Sequence, residues 1–385
     1  MYVTTVELID FRNYEHAELE FAPGANVITG PNGHGKTNIV EAIAYLATLT
    51  SHRVATDAPL VRQGATQAVV RARVLAGVDD PRGLTLELEI NPTAANRARL
   101  NRAPQRRARD LLGALRVVAF TPDDLSIVKG DPGERREALD DVVTARWPRL
   151  AGVKADYAAV IRQRNALLKA NSGRGRLTDE AAATLDVWDD QLAALGADLM
   201  TARARTVLDL APHLAQAYAA IAPANSDARA AYAPRQDSVR ECLAAGEASN
   251  DEVAALLRQA LVERRPDEVR RGVSLVGPHR DEIDLTIGAL PAKGYASHGE
   301  AWSLALSWRL AGFQLLRAEA IEPVLILDDV FAELDATRRD RLAGAVATAE
   351  QVLITAAVPE DVPAALDGRR FAVESGRVRE SAVGS

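Results

Sequence analysis

Gly30-Pro31-Asn32-Gly33-His34-Gly35-Lys36-Thr37 fits the pattern G-x-x-x-x-G-K-[ST] over its full length. A bound phosphate needs several backbone N–H groups converging on it, and a glycine-rich turn presents them without Cβ atoms in the way. Asn26 to Thr29 is a short apolar run that leads into the turn as a strand, and Thr37 to Leu49 leaves it with helical spacing. A helix starting near Gly35 aims its positive end at the same point. The stretch predicts a phosphate loop for ATP. Gly30, Pro31, Asn32, Gly33, His34 and Gly35 form the cradle, Lys36 neutralises the β and γ phosphates, and Thr37 coordinates Mg2+. An ordinary glycine turn is the competing reading, and the flanking strand and helix weigh against it.

Val324-Leu325-Ile326-Leu327-Asp328-Asp329 is the second decisive stretch. Four apolar residues ending in two acids describe a buried strand with carboxylates at its carboxyl end, the edge where parallel sheets bind ligands. Asp328 is expected to hold Mg2+ through water, and Asp329 to polarise an attacking water. The two stretches lie near opposite ends of the chain, whereas simple kinases and small GTPases keep them closer. Such a split, with helical material between, resembles the SMC-like branch of ABC ATPases, in which a second chain completes the nucleotide site with an S-x-G segment. Ser297-His298-Gly299 stands just before a helix predicted over Gly299 to Ala320. Its N-terminus would face a partner's γ-phosphate. A plain N-capped helix is the alternative. Val330-Phe331-Ala332-Glu333-Leu334-Asp335 resembles the D-loop of those ATPases, with Asp335 doubling as a helix N-cap.

Around these motifs the 385 residues are 48% hydrophobic but only 4% aromatic, and alanine and leucine favour helices over an all-β fold. The net charge of −7, from 46 basic and 53 acidic residues, excludes a uniformly basic coat but not a local basic surface. With one cysteine, Cys242, no intrachain disulfide forms, which fits a reducing, cytoplasmic setting, and no Cys/His cluster suggests structural zinc. The start MYVTTVELIDFRNY lacks an apolar h-region, so no signal peptide is expected. No stretch approaches about 20 uninterrupted apolar residues, so no membrane partner is expected. Trp302 to Ala320 comes nearest, broken by Ser303, Ser307, Arg309, Gln314 and Arg317.

Val3 to Leu8, Ala17 to Phe21, Ala68 to Ala76, Leu84 to Ile90 and Arg116 to Phe120 read as strands, with a turn over Asp79 to Gly83. From about Gly133 to Ile221 the chain reads as an antiparallel helical hairpin. Pro148 punctuates it, Asn171 to Arg176 form its tip, and Thr178 caps the return helix. Its arms have about 22 to 35 residues, roughly 33 to 50 Å. Strand texture returns at Ser274 to Val276, Glu282 to Ile287, Val324 to Leu327 and Gln351 to Thr355, with a helix over Asp335 to Ala349. The expected architecture is α/β: an ABC-type, SMC-like P-loop ATPase head with an inserted α-helical hairpin arm. Residues 1–125 and 272–385 form the head and 126–271 the arm.

Further segments carry a narrower resemblance. Asp10-Phe11-Arg12-Asn13-Tyr14, Asn38 and Glu41 after the P-loop, Phe120-Thr121-Pro122-Asp123-Asp124-Leu125, Val128-Lys129-Gly130 with Arg135-Arg136 and Leu139-Asp140, and Gly277-Pro278-His279-Arg280-Asp281 together resemble the RecF family of bacterial recombination-mediator ATPases. The resemblance implies an ATP-dependent homodimer and weak, slow, DNA-stimulated ATP hydrolysis acting as a switch. It also implies binding to double-stranded DNA near single-strand gaps or junctions, and work with RecR and RecO to help RecA load. It adds Arg12 and Asn38 to the nucleotide contacts. The chain departs from the wider pattern at His298 and Glu300, at Asp329 where many ABC ATPases have glutamate, and at Ile354-Thr355-Ala356, which lacks a switch histidine. Near Thr121-Pro122 there is no Q-loop glutamine, and Gln63 is a weak substitute.

Arg97, Arg99, Arg102, Arg106, Arg107 and Arg109 form a run with almost no acids between them. Such a run is often a solvated face, and here it is expected to track DNA phosphates. Arg162, Arg164, Lys169, Arg174 and Arg176 mark a second basic region. Aromatics do not interleave with either, which favours sequence-tolerant duplex contact over base stacking. Two rivals stand beside this reading. A transporter's ATPase subunit would carry a Q-loop, an L-S-G-G-Q signature and a switch histidine. A P-loop phosphotransferase would need an acceptor site and has no use for Ser297 in trans.

Overall fold

The computed structural model describes residues 1–172, 177–222, 227–246 and 248–381. Contacts divide the chain into two units. The first comprises Met1–Leu125, Gln216–Asn225 and His298–Ser385; the second comprises Ser126–Ala215 and Ser226–Ser297.

Two sheets build the first unit. One is antiparallel, in the order Tyr14–Glu20, Tyr2–Phe11, Ala68–Gly77, Asp80–Ile90, Arg97–Leu100, Ala103–Pro104. The other runs Arg377–Ser381, Arg369–Glu374, Gly24–Thr29, Gln351–Ala356, Val324–Asp328, Val117–Phe120, parallel except for the first pair. The helix Lys36–Thr48 packs against strands of both sheets, which is why it is apolar nearly all round. Period-two alternation in the buried strand Val324–Asp328 separates two cores. Val324 and Ile326 join the core around that helix, whereas Leu325 and Leu327 face Trp302, Leu306, Leu310 and Phe313 of the helix His298–Ala318. No helix among the described residues is long and apolar enough to cross a membrane.

The second unit is helical, with a three-stranded sheet ordered Leu290–Pro291, Glu282–Ile287, Ala228–Ala233. Helices Arg149–Asn171 and Asp179–Ile221 run antiparallel, as the pairings Arg164 with Asp189 and Leu168 with Leu185 require. The return helix is longer than expected, at 43 residues, and its last residues, from Gln216 on, belong to the first unit. There Arg341 donates to the terminal carbonyls of Ile221 and Ala222. A third long helix, Asn250–Arg271, lies along the pair through Arg258 to Asp190 and Arg265 to Asp186. Pro148 does end a helix, since Pro132–Arg146 stops before it.

Some local expectations need correction. Ser274 to Val276 is not a strand: the Ser274 and Leu275 N–H groups donate to the side chains of Asn165 and Glu268 instead of to a neighbouring strand. The turn placed at Asp79 to Gly83 closes earlier, with Gly77 opposite Asp80. Residues 273–297 group with the second unit, because Glu282–Ile287 pairs with Ala228–Ala233. Arg164, expected on a basic surface, is fully buried between Asp189 and Glu268. Arg174 and Arg176 lie outside the described residues.

Candidate nucleotide site

Five parallel strands of this sheet end at one edge, and the P-loop leaves the strand Gly24–Thr29 there. Steric demand explains two of its glycines. A Cβ on Gly30 would collide with the Val373 carbonyl. On Gly35, at φ 116, it would sit 2.6 Å from Asn13 Nδ2 and 2.7 Å from Tyr14 Oη. Gly33 is exposed on the loop with open space beside it, and Pro31 and Asn32 precede it. The helix Lys36–Thr48 starts without a side-chain cap and without an acid in its first turn, so its positive end is left to an anion. Lys36 is buried, and its ammonium folds onto the loop, 3.2 Å from Asn32 Oδ1 and 3.4 Å from the Pro31 carbonyl.

The far end of the chain supplies the acids. Thr37 Oγ1 donates to Asp328 Oδ1 at 3.0 Å across 291 residues of sequence. In the sequence Thr355 marks only the absence of a switch histidine, yet in the fold it ties the acid pair together. Its hydroxyl donates to Asp328 Oδ1 at 2.6 Å and accepts from the Asp329 N–H at 2.9 Å. Burial pushes the Asp328 carboxyl above its usual range, and the adjacent Asp329 charge adds to this, against the hydroxyl bonds from Thr355 and Thr37. Asp329 sits at φ 52, a left-handed backbone that costs a non-glycine residue energy.

Arg12 and Asn38 belong to a network beside the loop. Arg12 chelates the buried Glu41 carboxylate through Nε and Nη2, at 2.9 and 2.5 Å. Ser51 and Arg53 also donate to Glu41. Arg53 continues to Asn38, Asn38 to Asn13, and Asn13 to the His34 carbonyl, while Tyr14 donates to the Gly35 carbonyl. Burial opposes the Glu41 charge, but Arg12 and Ser51 outweigh it and hold its carboxyl low. His34 also receives the N–H groups of Ser375 and Gly376 from the C-terminal hairpin. In the sequence Glu41 stands only among the residues that carry the family resemblance, with no role of its own; its place as the hub of this network comes from the fold.

The residues fit Mg2+ and ATP. A threonine hydroxyl faces a carboxylate beside an uncapped helix start and a folded-back lysine. Among the described residues no group of three or more His, Cys, Asp or Glu side chains could hold a metal alone, so phosphate and water would complete its shell.

Ser297 is exposed immediately before the helix His298–Ala318, and Asp335 caps Ala336–Val346 by accepting the Arg338 N–H at 3.0 Å. Gly299 packs against the Arg338 guanidinium. Thr121 and Asp124 form a capping box where a Q-loop glutamine would stand, and the Asp124 carboxylate binds Arg309 of the helix His298–Ala318. The arginine run divides. Arg97 and Arg99 lie in cross-strand pairs with Glu89 and Glu87, while Arg102, Arg106 and Arg107 are exposed beyond them and Arg109 is half-buried.

Fold and site together define an ABC-type P-loop ATPase head of the SMC-like kind. The family model for the RecF/RecN/SMC N terminal domain matches residues 2–374. The DNA replication and repair protein RecF of Cutibacterium acnes is 56% identical over 385 residues, covering 98% of each chain. That of Streptomyces avermitilis is 53% identical over 383 residues, covering 98% of this chain and 99% of its own. The chain belongs to the RecF family. A solved structure of the recombination mediator protein RecF-ATPrS in the RecFOR pathway superposes with a TM-score of 0.86 at 26% identity, covering 99% of this chain and 98% of that one. An Smc head bound to the C-winged helix domain of ScpA shares the fold more distantly, with a TM-score of 0.56 at 16% identity, covering 99% and 97%.

Proposed function

We propose that this chain is an ATP-dependent DNA-binding protein of recombinational repair. It acts as an ATP-gated dimeric clamp on double-stranded DNA near single-strand gaps or junctions, and works with RecO and RecR to help load RecA. The observation that carries the reading is the 3.0 Å approach of Thr37 to Asp328, which unites the two ends of the chain at one phosphate-binding edge. Lys36 and the P-loop amides bind the phosphates, Asp329 orients the attacking water, and Ser297 and the backbone at Gly299 serve the nucleotide of a second copy. Thr37 and Asp328 would hold Mg2+, which would supply charge neutralisation for the phosphates. The short arm of Asp329 and its left-handed backbone favour slow hydrolysis, so ATP works as the adhesive of a dimer. A solved relative belongs to the RecFOR pathway, which supports RecO and RecR as partners.

Mass in solution with and without ATP tests the reading. ATP is expected to give a dimer, Asp329→Asn to prolong it, and Ser297→Arg to prevent it. A parent chain that stays monomeric with ATP would overturn the clamp. Duplex affinity should fall steeply with salt, and an affinity flat from low to high salt would remove backbone-dominated DNA binding.

A further inference from the structure

The helix Ala336–Val346 starts at Asp335 and carries Arg338 one turn in. One Asp335 oxygen accepts the Arg338 N–H at 3.0 Å, and the other lies 3.5 Å from Arg338 Nε. Beyond Nε the guanidinium lies against Gly299, at the start of the helix His298–Ala318. A Cβ built on Gly299 would come within 2.9 Å of Nη1 and 3.0 Å of Nη2. The side chain is only 17% exposed, and its buried Nε makes no hydrogen bond. Two features of this placement are unfavourable. A buried donor without an acceptor costs free energy, and such groups are rare enough in folded proteins to require a reason. A cation also opposes the positive end of a helix dipole, and Glu300 in the first turn offsets that only in part. Both costs fall when an anion arrives at the helix start.

We propose that Arg338 is a positioning residue that joins the Asp335 segment to the signature segment and holds the backbone at Gly299 ready for an anionic phosphate of a second copy's nucleotide. This rests on the reading of Ser297 and Gly299 as contacts made in trans. A Cβ on Gly299 would press on the ends of this guanidinium and shift them from their place beside the helix start. This placement makes Arg338 and Gly299 one unit, whose substitutions act through the same displacement.

A double-mutant cycle on the full-length chain tests this, with ATP affinity of the monomer and ATP-dependent dimerisation read separately. Arg338→Ala is expected to leave monomer ATP affinity within about twofold and to weaken the ATP-bound dimer about tenfold, with Arg338→Lys restoring part of the loss. Gly299→Ala should weaken the dimer by a similar factor, and the double variant no further. Arg338→Met, which keeps the apolar stem, replaces Arg338→Ala if the latter fails to fold. A parent that dimerises with ATP while Arg338→Ala matches it overturns the proposal, as does simple addition of the two effects. A parent that never dimerises removes the underlying trans reading, and this proposal with it.

Discussion

The second unit and the acid pair at the first unit's nucleotide edge bury charge in different ways. In the second unit, two buried arginines are matched. Arg164 donates to Asp189, Glu268 and Ser274 at 2.6 to 2.8 Å, and Arg203 chelates Asp140 at 2.8 and 2.9 Å while also donating to the Pro278 carbonyl. Burial works against the Asp140 charge, yet Arg203 and Lys154 hold its carboxyl low. At the nucleotide edge of the first unit, Asp328 is buried beside a second acid, and the hydroxyls of Thr355 and Thr37, with His52 nearby, do not offset its burial. Matched burial fixes a shape; unmatched burial keeps a charge in readiness for a ligand that brings the missing counter-charge.

The largest test of this contrast is Arg164→Ala. Glu268, fully buried, would keep only the Leu275 N–H, and a buried pair broken on one side typically costs about 3–5 kcal/mol. Urea unfolding of the full-length chain should show a loss of this size. A loss under about 1 kcal/mol would mean the matched charges of the second unit are not structural.

Acidification probes the same network through His279. Its imidazole accepts or donates at 2.7 Å to Tyr157, and burial, with Arg280, Arg136 and Arg164 nearby, depresses its pKa from the ordinary 6.5 to about 4. The unfolded chain therefore takes up the proton first as pH falls. The contribution is complete above about pH 6.5, declines between there and about pH 4, and is constant below, amounting to about 3 kcal/mol. Asp281, which burial raises, contributes with the opposite sign, so the test is a difference. His279→Gln should flatten the parent's loss of urea midpoint between pH 7.5 and 5. An unchanged slope would show that His279 does not carry it.

At the first unit's edge the expected signs reverse. Lys36→Ala should weaken ATP-dependent dimerisation about a hundredfold while leaving the urea midpoint near the parent's, because the ammonium stands by for phosphate and bonds only its own loop. Asp328→Asn should lose nucleotide function and yet raise the ligand-free midpoint slightly, since the carboxylate it removes is held against burial and a like charge. A midpoint that drops on Asp328→Asn would place this acid with the matched charges of the other unit.

Sequence pattern makes the first unit largely legible, because its decisive elements are contiguous and motif-spaced. The phosphate loop, the acid-ended strand and the signature helix each fall within two residues of their expected limits. What stays hidden depends on side chains that meet over long separations. Arg164 looks like a surface cation in the sequence because its partners are 25 and 104 residues away. Ser274 to Val276 looks like a strand because nothing local shows that its backbone donors go to side chains. The helix Asn250–Arg271 is charged on most sides, so its periodicity is faint, although its capping box at Ser249 and Glu252 and its left-handed Gly272 are local signals that could find it. Likewise, only the sheet register and the P-loop network bring Thr355 and Glu41 to the site.

The smallest expected effect divides the arginine run. Charge that is matched across a sheet should resemble the second unit's and be unavailable to DNA. Arg99 already pairs with Glu87 at 2.6 Å and Arg97 reaches Glu89 at 3.5 Å, so a phosphate must compete with a carboxylate for each. Arg102 and Arg106 are exposed, with Arg102 at φ 70 in the hairpin turn. Replacing Arg97 and Arg99 with glutamine should change duplex affinity less than about twofold and leave the salt dependence as it is. Replacing Arg102 and Arg106 should weaken binding and reduce the salt slope by about one for each arginine that neutralises a phosphate. Equal effects from the two pairs would show that the cross-strand carboxylates do not shield the first, and the division between matched and available charge would fail within the first unit itself.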